Sequence, residues 1–491
     1  MKKYPVTKPY FTQKEKDLIA ASLDSGWVAQ GPKVAEFEKS IAGHERIAEG
    51  VATTSCTTAL HLAMVAQGLA NGMDAIIPAF TFVATANAII AAGATPVMVD
   101  IHRDTYNINT DALQNIIETK YKQKNGKLIN KENGNELWGV VPVHEFGLCC
   151  DIYEVNQLAR TYGLKVIEDS ACALGAKINE IHQGAFGNTS CISFHPRKSI
   201  TTGEGGMILT DDPLLAKRMR ELRTHGSMVS ADVRDKGKGF LLPEFNEAGY
   251  NYRMTDLQGA MGLAQVEKLD FIIEEKRKKA AVYNELISEM LPEFITPLEP
   301  DGFYHTYQSY VCMLDEKKFR FDTIRTGGGY RNMLLQKLET VGIATRQGTH
   351  AVHMLGYYRN RFGYEPEDFI NAYACDHLSV TFPLYVGITK ESHHPQKPNG
   401  NIRRWLLIHL EGSHPVPQYP GPAADKGKRL HVGFLHLQRS PVRKNAYQAC
   451  IPVFLRAFHA YSLDKGSAAA CPPGCRQHSQ SYMVHAFQFG L

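Results

Sequence analysis

The chain reads as an α/β protein built on a mostly parallel sheet, followed by a smaller C-terminal α+β part. Three observations carry that reading. Short apolar runs alternate with stretches of helical periodicity through most of the first 290 residues. One run, Leu164-Lys165-Val166-Ile167-Glu168-Asp169, ends in two acids. Another, Cys191-Ile192-Ser193-Phe194, is stopped by Pro196 and leads through Lys198 and the glycines Gly203, Gly205 and Gly206 into a further strand at 207–210.

The elements follow in order. Residues 14–25 set Leu18, Ile19 and Leu23 at helical spacing and stop near Gly26. A second short helix, 34–42, comes after the Gly31-Pro32 break. The hydroxyl-rich stretch 51–58 opens a strongly apolar helix, 59–69. Hydroxyls and free amides at a helix start form an anion site, which makes Ser55 and Thr57 candidates. Residues 75–78 are a buried strand, and 81–85 open the next helix. A strand at 95–99 and a helix at 111–120 follow, then a polar surface insertion, 121–136. The strand 139–143, the helix 152–162 and the strand ending at Asp169 complete one run of alternation. Beyond Lys198, 213–224 is a helix, and 227–247 is a Gly-rich stretch long enough to be a functional loop. Residues 257–290 read as one long helical connector, 303–314 as a strand, 332–341 as a helix and 378–384 as the last strand. The expected division is 1–265 for the N-terminal segment and large part, 266–391 for the small part, and 392–491 for an atypical tail.

Composition bounds the class. With 491 residues, more than one core is expected. A hydrophobic share of 44% and a charged share of 21% are those of a soluble globular chain. No apolar run reaches the roughly 18 residues of a membrane span, and MKKYPVTKPYFTQKEKD lacks a signal peptide's apolar core, so the expectation is cytoplasmic and without a membrane partner. Of ten cysteines, Cys56, Cys149, Cys150, Cys172, Cys191 and Cys312 sit mostly in apolar surroundings and read as reduced core thiols. The net charge of +4 is uneven, with +9 in residues 392–491 against −5 in the rest. The body therefore gives no reason to expect nucleic acid. The tail is rich in His and Pro and holds no lasting apolar period, so it is expected to be disordered or non-native. Its Cys471, Cys475, His478 and His485 have the wrong His spacing for zinc, and no metal is expected.

The chemistry lies in the two strand ends. A lysine tucked between buried strands is poorly hydrated. Burial disfavours its charged form and sharpens its amine as a nucleophile. That suits Schiff-base chemistry with an aldehyde such as pyridoxal 5'-phosphate (PLP). A lone loop lysine would be read as solvated, and a lone acid after a strand as a turn residue. Here they complement one another, because PLP needs a carboxylate on its pyridine nitrogen and ligands bind at the carboxyl ends of sheet strands. Asp169 fits that place, while Glu168 points to the opposite face of its strand.

Together, residues 166–176 (VIEDSACALGA) and the stretch SFHPRKSITTGEGGM resemble the active-site core of the DegT-type nucleotide-sugar aminotransferases, over about residues 9 to 390. The resemblance implies PLP-dependent transferase fold type I and a PLP-dependent aminotransferase. The amino group would pass, from glutamate as the expected donor, to a nucleotide-linked keto sugar. It implies Lys198 and Asp169 as catalytic residues. It places Ser55, Cys56, Thr57, Phe82, Cys172, Ser193 and Asn251 at the cofactor. Cys56 stands where the family usually has Gly. Gly249–Asp256 resembles the segment that crosses to a partner subunit, implying a homodimer with shared sites and Asn251 reaching the partner's cofactor phosphate. His144, Arg346 and His350 are implied as substrate residues. Asn71-Gly72-Met73-Asp74 departs from the family's usual Gly-Asp-Glu, an expected effect on a surface turn only. Alternatives are a PLP-dependent sugar dehydratase, where histidine replaces the lysine, a PLP-binding regulatory protein without turnover, and a nucleotide-binding module without PLP. No Gly-x4-Gly-Lys-Ser/Thr loop supports the last.

Overall fold

The computed structural model describes residues 3–227 and 244–388. The tail 392–491, with its cysteines and histidines, and most of the loop 227–247 lie outside the described residues.

The central sheet contains seven strands in one path and a hairpin beside it. The seven are β1 (Glu49–Thr53), β2 (Met73–Pro78), β3 (Thr95–Val99), β4 (Glu136–Val140), β5 (Lys165–Asp169), β6 (Thr189–Ser193) and β7 (Gly206–Thr210). Their spatial order is β1-β7-β6-β5-β4-β2-β3. Pairs from β6 across to β3 are parallel, and β7 runs antiparallel to both β1 and β6. Near-continuous burial along these strands follows from the cover of both faces. The lysine turn is the connection between β6 and β7, so it leaves the sheet at the carboxyl end of β6, beside the end of β5 that carries Asp169.

Helices begin where the sequence offers caps. Ser55 caps α1 (Cys56–Ala66), with Thr58 closing a capping box. Asp151 caps α2 (Ile152–Tyr162), which Gly163 ends in a left-handed conformation. Gly206 must lack a Cβ, since one there would lie 2.4 Å from the Ser55 backbone. This glycine lets β7 pass directly against the start of α1.

A separate antiparallel sheet joins Phe294–Ile295, Tyr310–Leu314 and Ser379–Phe382. Several expectations change here. The strand at 303–314 is two strands in two sheets: Phe303–Tyr304 pairs with Lys177–Ile178, and Tyr310–Leu314 lies in the small sheet. Between them Tyr307 takes a φ of 45°, a bend that alternation alone does not reveal. The long connector is two helices, Asp256–Val266 and Leu269–Met290. Finally, the polar insertion is an ordered hairpin, Tyr121–Lys124 with Lys127–Asn130. It is held by Asp74, which is fully buried rather than part of a surface turn. Asp74 accepts hydrogen bonds from Tyr121 Oη at 2.9 Å, Asn130 Nδ2 at 2.6 Å and Asn135 Nδ2 at 2.8 Å.

Candidate active site

The carboxyl ends of β5 and β6 open into a cavity of about 410 Å³. Of the residues singled out from the sequence, it is lined by Ser55, Cys56, Thr57, Phe82, Asp169, Cys172, Ser193, Lys198 and Arg346. These come from five stretches of chain, so the fold assembles what the sequence scatters.

Asp169 ends β5 with 4% exposure. Its Oδ2 accepts from Thr85 Oγ1 at 2.7 Å and its Oδ1 from the Ala171 amide at 3.1 Å. Burial pushes its carboxyl up, partly offset by those two donors and by Lys198. Glu168, one residue earlier, faces the other way and is fully buried. It binds His144 Nε2 at 2.8 Å, the Gly184 amide at 2.9 Å and Asn188 Nδ2 at 2.9 Å.

Lys198 is half-buried, and its Nζ lies 3.0 Å from Cys172 Sγ. The expected depression of its pKa does not appear. Burial does work against the ammonium, but Cys172, Cys56 and Asp169 outweigh it and hold the group above the usual lysine range. The sequence reading counted desolvation and missed the acidic neighbours that folding brings in.

The start of α1 fits a phosphate. Among the described residues the Cys56 and Thr57 amides make no hydrogen bond, as expected for the first turn of a helix. The Cys56 thiol turns toward the sheet, 3.7 Å from the Cys191 carbonyl, so the side chain that replaces the family's glycine is directed at β6. Ser193 and the exposed ring of Phe82 also line the cavity. Lysine, buried carboxylate, free helix amides and an aromatic ring are a donor set that fits PLP.

Three expected residues are placed elsewhere. His144 is fully enclosed and does not line the cavity. Its Nδ1 accepts from the Cys150 amide at 3.0 Å, which leaves Nε2 to donate to Glu168. Its placement is that of a brace behind β5. His350 lies beside the cavity, its Nδ1 2.9 Å from Gln347 Nε2 and its ring centroid 6.5 Å from that of Phe82. Asn251 is exposed and paired through backbone with Thr224, outside the cavity of its own chain.

The cavity also holds residues that sequence reading missed. Thr85 binds Asp169. Glu145 lines the cavity with 3% exposure, and its Oε1 has no hydrogen-bond partner. Burial and the Asp169 charge push the Glu145 carboxyl up to about 8. Arg197 and Gln308 line the cavity too. Arg197 could have been singled out by its place immediately before Lys198. Glu145 carries no such signal, because only the turn at Phe146 (φ 55°) brings it inward.

An α/β fold with lysine and aspartate meeting at the sheet's carboxyl edge defines the class as a PLP-dependent enzyme, and the comparisons with known proteins make it a sugar aminotransferase. A family sequence model, the DegT/DnrJ/EryC1/StrS aminotransferase family, matches residues 9–394, and the chain belongs to that family. It is 34% identical over 387 residues to the spore coat polysaccharide biosynthesis protein SpsC of Bacillus subtilis, covering 79% of this chain and 93% of that one. It is 31% identical over 389 residues to the GDP-perosamine synthase of Caulobacter vibrioides, covering 78% and 94%. Among solved structures, Helicobacter pylori PseC, an aminotransferase of pseudoaminic acid biosynthesis, superposes with a TM-score of 0.70. That match has 25% identity and covers 84% of this chain and all of PseC.

Proposed function

We propose that this enzyme aminates a nucleotide-linked keto sugar with glutamate as the donor, and that Lys198 and Asp169 are its catalytic pair. The observation that supports the assignment is their meeting in one cavity from the ends of adjacent parallel strands. Bound PLP supplies an electron sink for breaking the C–H bond next to nitrogen. Asp169 Oδ carries the carboxylate that pairs with the pyridine nitrogen, steadied by Thr85. Lys198 Nζ would hold the aldehyde group and would be the cavity's general base and acid. Ser55, Thr57, Ser193 and the first amides of α1 hold the phosphate, with Cys56 behind them and Cys172 beside Lys198. Phe82 covers the ring. Arg346 takes an anionic group of the substrate, and His350 supports Phe82 from the side.

The chain is proposed to work as a homodimer in the cytoplasm, Asn251 of each copy serving the other's site. Among the described residues no helix is long and apolar enough to cross a membrane. We place the division of the folded part near 265/266, between the helices Asp256–Val266 and Leu269–Met290. The names of the relatives, a coat polysaccharide protein and a GDP-sugar synthase, support polysaccharide biosynthesis as the setting. The purified protein's absorption spectrum with a glutamate titration tests the reading. Conversion of the aldehyde to the amine form of the cofactor is expected. Bound PLP that glutamate leaves unchanged would favour a regulatory protein without turnover.

A further inference from the structure

The charges around the cavity are not balanced at its mouth. Its described carboxylates are Asp169 and Glu145, both buried, and Glu204, which is exposed. Its cationic side chains are Lys198, Arg197 and Arg346, with His195 beside them. Lys198 has Cys172 and the Asp169 charge near it. Glu204 has His195 Nε2 at 3.9 Å. Neither Arg197 nor Arg346 makes an ion pair among the described residues, although other arginines of the chain do.

The two guanidinium groups also feel each other. Arg346 is held below the usual arginine range, first by burial and then by the charge of Arg197. His195 is lowered by burial and by Lys198, Arg197 and Arg346, against the pull of Glu204. Like charges set together at a cavity mouth with no counter-ion raise the local concentration of anions and favour a ligand that neutralises both.

The backbone fixes where Arg197 starts. Its amide donates to His195 Nδ1 at 3.2 Å, and its carbonyl accepts from Gln308 Nε2 at 2.5 Å. Arg346 is fixed from the other side, its carbonyl accepting from the Thr381 amide at 2.7 Å in the small sheet's last strand. Both anchors are rigid, and a planar fork suits carboxylate or phosphate oxygens better than a lysine would.

We infer that Arg197 is a specificity-determining residue, joining Arg346 in an anion subsite that grips a doubly charged group of a substrate. That chemistry belongs to the paired carboxylates of a dicarboxylic amino donor and to the diphosphate of a nucleotide sugar. The choice of these two ligands rests on the aminotransferase reading; the subsite itself rests on the charge arrangement.

Calorimetric titration with glutarate and, separately, inorganic pyrophosphate tests it without turnover. The wild-type protein should bind at least one of the two, more weakly as salt is raised. Arg197→Gln should weaken that anion by about tenfold or more, and Arg197→Lys should recover part of the loss. Loss for glutarate alone assigns the donor, and loss for pyrophosphate alone assigns the nucleotide sugar. In turnover assays the matching KM should rise while kcat changes little, a split that a merely structural arginine does not produce. If the wild type binds neither anion, or Arg197→Gln binds both as the wild type does, the subsite is wrong. The cofactor spectrum is read on the same samples. Anion binding without any PLP signature would overturn the aminotransferase reading and leave the subsite standing.

Discussion

Glu145 and Asp169 bring two buried carboxyl groups to the cavity that the half-buried Lys198 also lines, and the three cannot titrate independently. Asp169 has two hydrogen-bond donors to hold its charge; Glu145 has an oxygen with none. The Glu145 carboxyl is raised to about 8, so the folded state keeps a proton that the unfolded chain releases near 4.5. Its contribution to stability is fully present below pH 4.5 and is lost as pH rises toward 8. Glu145→Gln removes that loss, so its Tm relative to wild type should climb between pH 5 and 8 (about the span of the two values). Parallel Tm–pH curves would rule the assignment out. Lys198 gives the sharper test. Lys198→Ala should cost at least about a hundredfold in transamination and abolish the borohydride-trapped cofactor adduct. An adduct trapped at a different lysine would move the site.

At the scale of elements, the hairpin at Tyr121–Asn130 depends on Asp74 rather than on its own strands, since an isolated hairpin is marginal. Asp74→Ala leaves Tyr121 Oη and Asn130 Nδ2 buried without an acceptor. The expected loss is about 3 kcal/mol of unfolding free energy, from the cost of unsatisfied buried donors. Urea unfolding measures it, and a loss below about 0.5 kcal/mol would show that the hairpin holds itself. Asp74 also marks where sequence reading stops. Periodicity locates a strand at 75–78 and places the helix Ile152–Tyr162, because a buried face leaves its spacing in the chain. It could not tell that an acid at a strand start is the acceptor for three donors 47, 56 and 61 residues away. The site shows the same limit. The strand-end positions of Lys198 and Asp169 were legible because a short apolar run leads into each. Glu145, Thr85 and the inward brace of His144 were not, since each depends on contacts between distant segments.

At the scale of the whole molecule, the single chain leaves conspicuous loose ends around the cavity. Phe82, proposed to cover the cofactor ring, is 61% exposed. Asn251 is exposed and lies outside its own chain's cavity, though its neighbours Tyr250 and Tyr252 stack tightly at 4.9 Å between centroids. If Asn251 acts in trans, each site of a homodimer takes Lys198 from one chain and Asn251 from the other. Lys198→Ala protomers and Asn251→Ala protomers should then be impaired separately. Once mixed and allowed to exchange, heterodimers hold one site with both residues intact and one with neither. Random pairing makes about half of the dimers hybrid, so activity should return to about a quarter of the wild-type value per site. The intact site should also show the cofactor's spectral response to glutamate. Mixing that restores nothing, although light scattering confirms exchange of subunits, would place Asn251 in its own chain's site or outside the chemistry altogether.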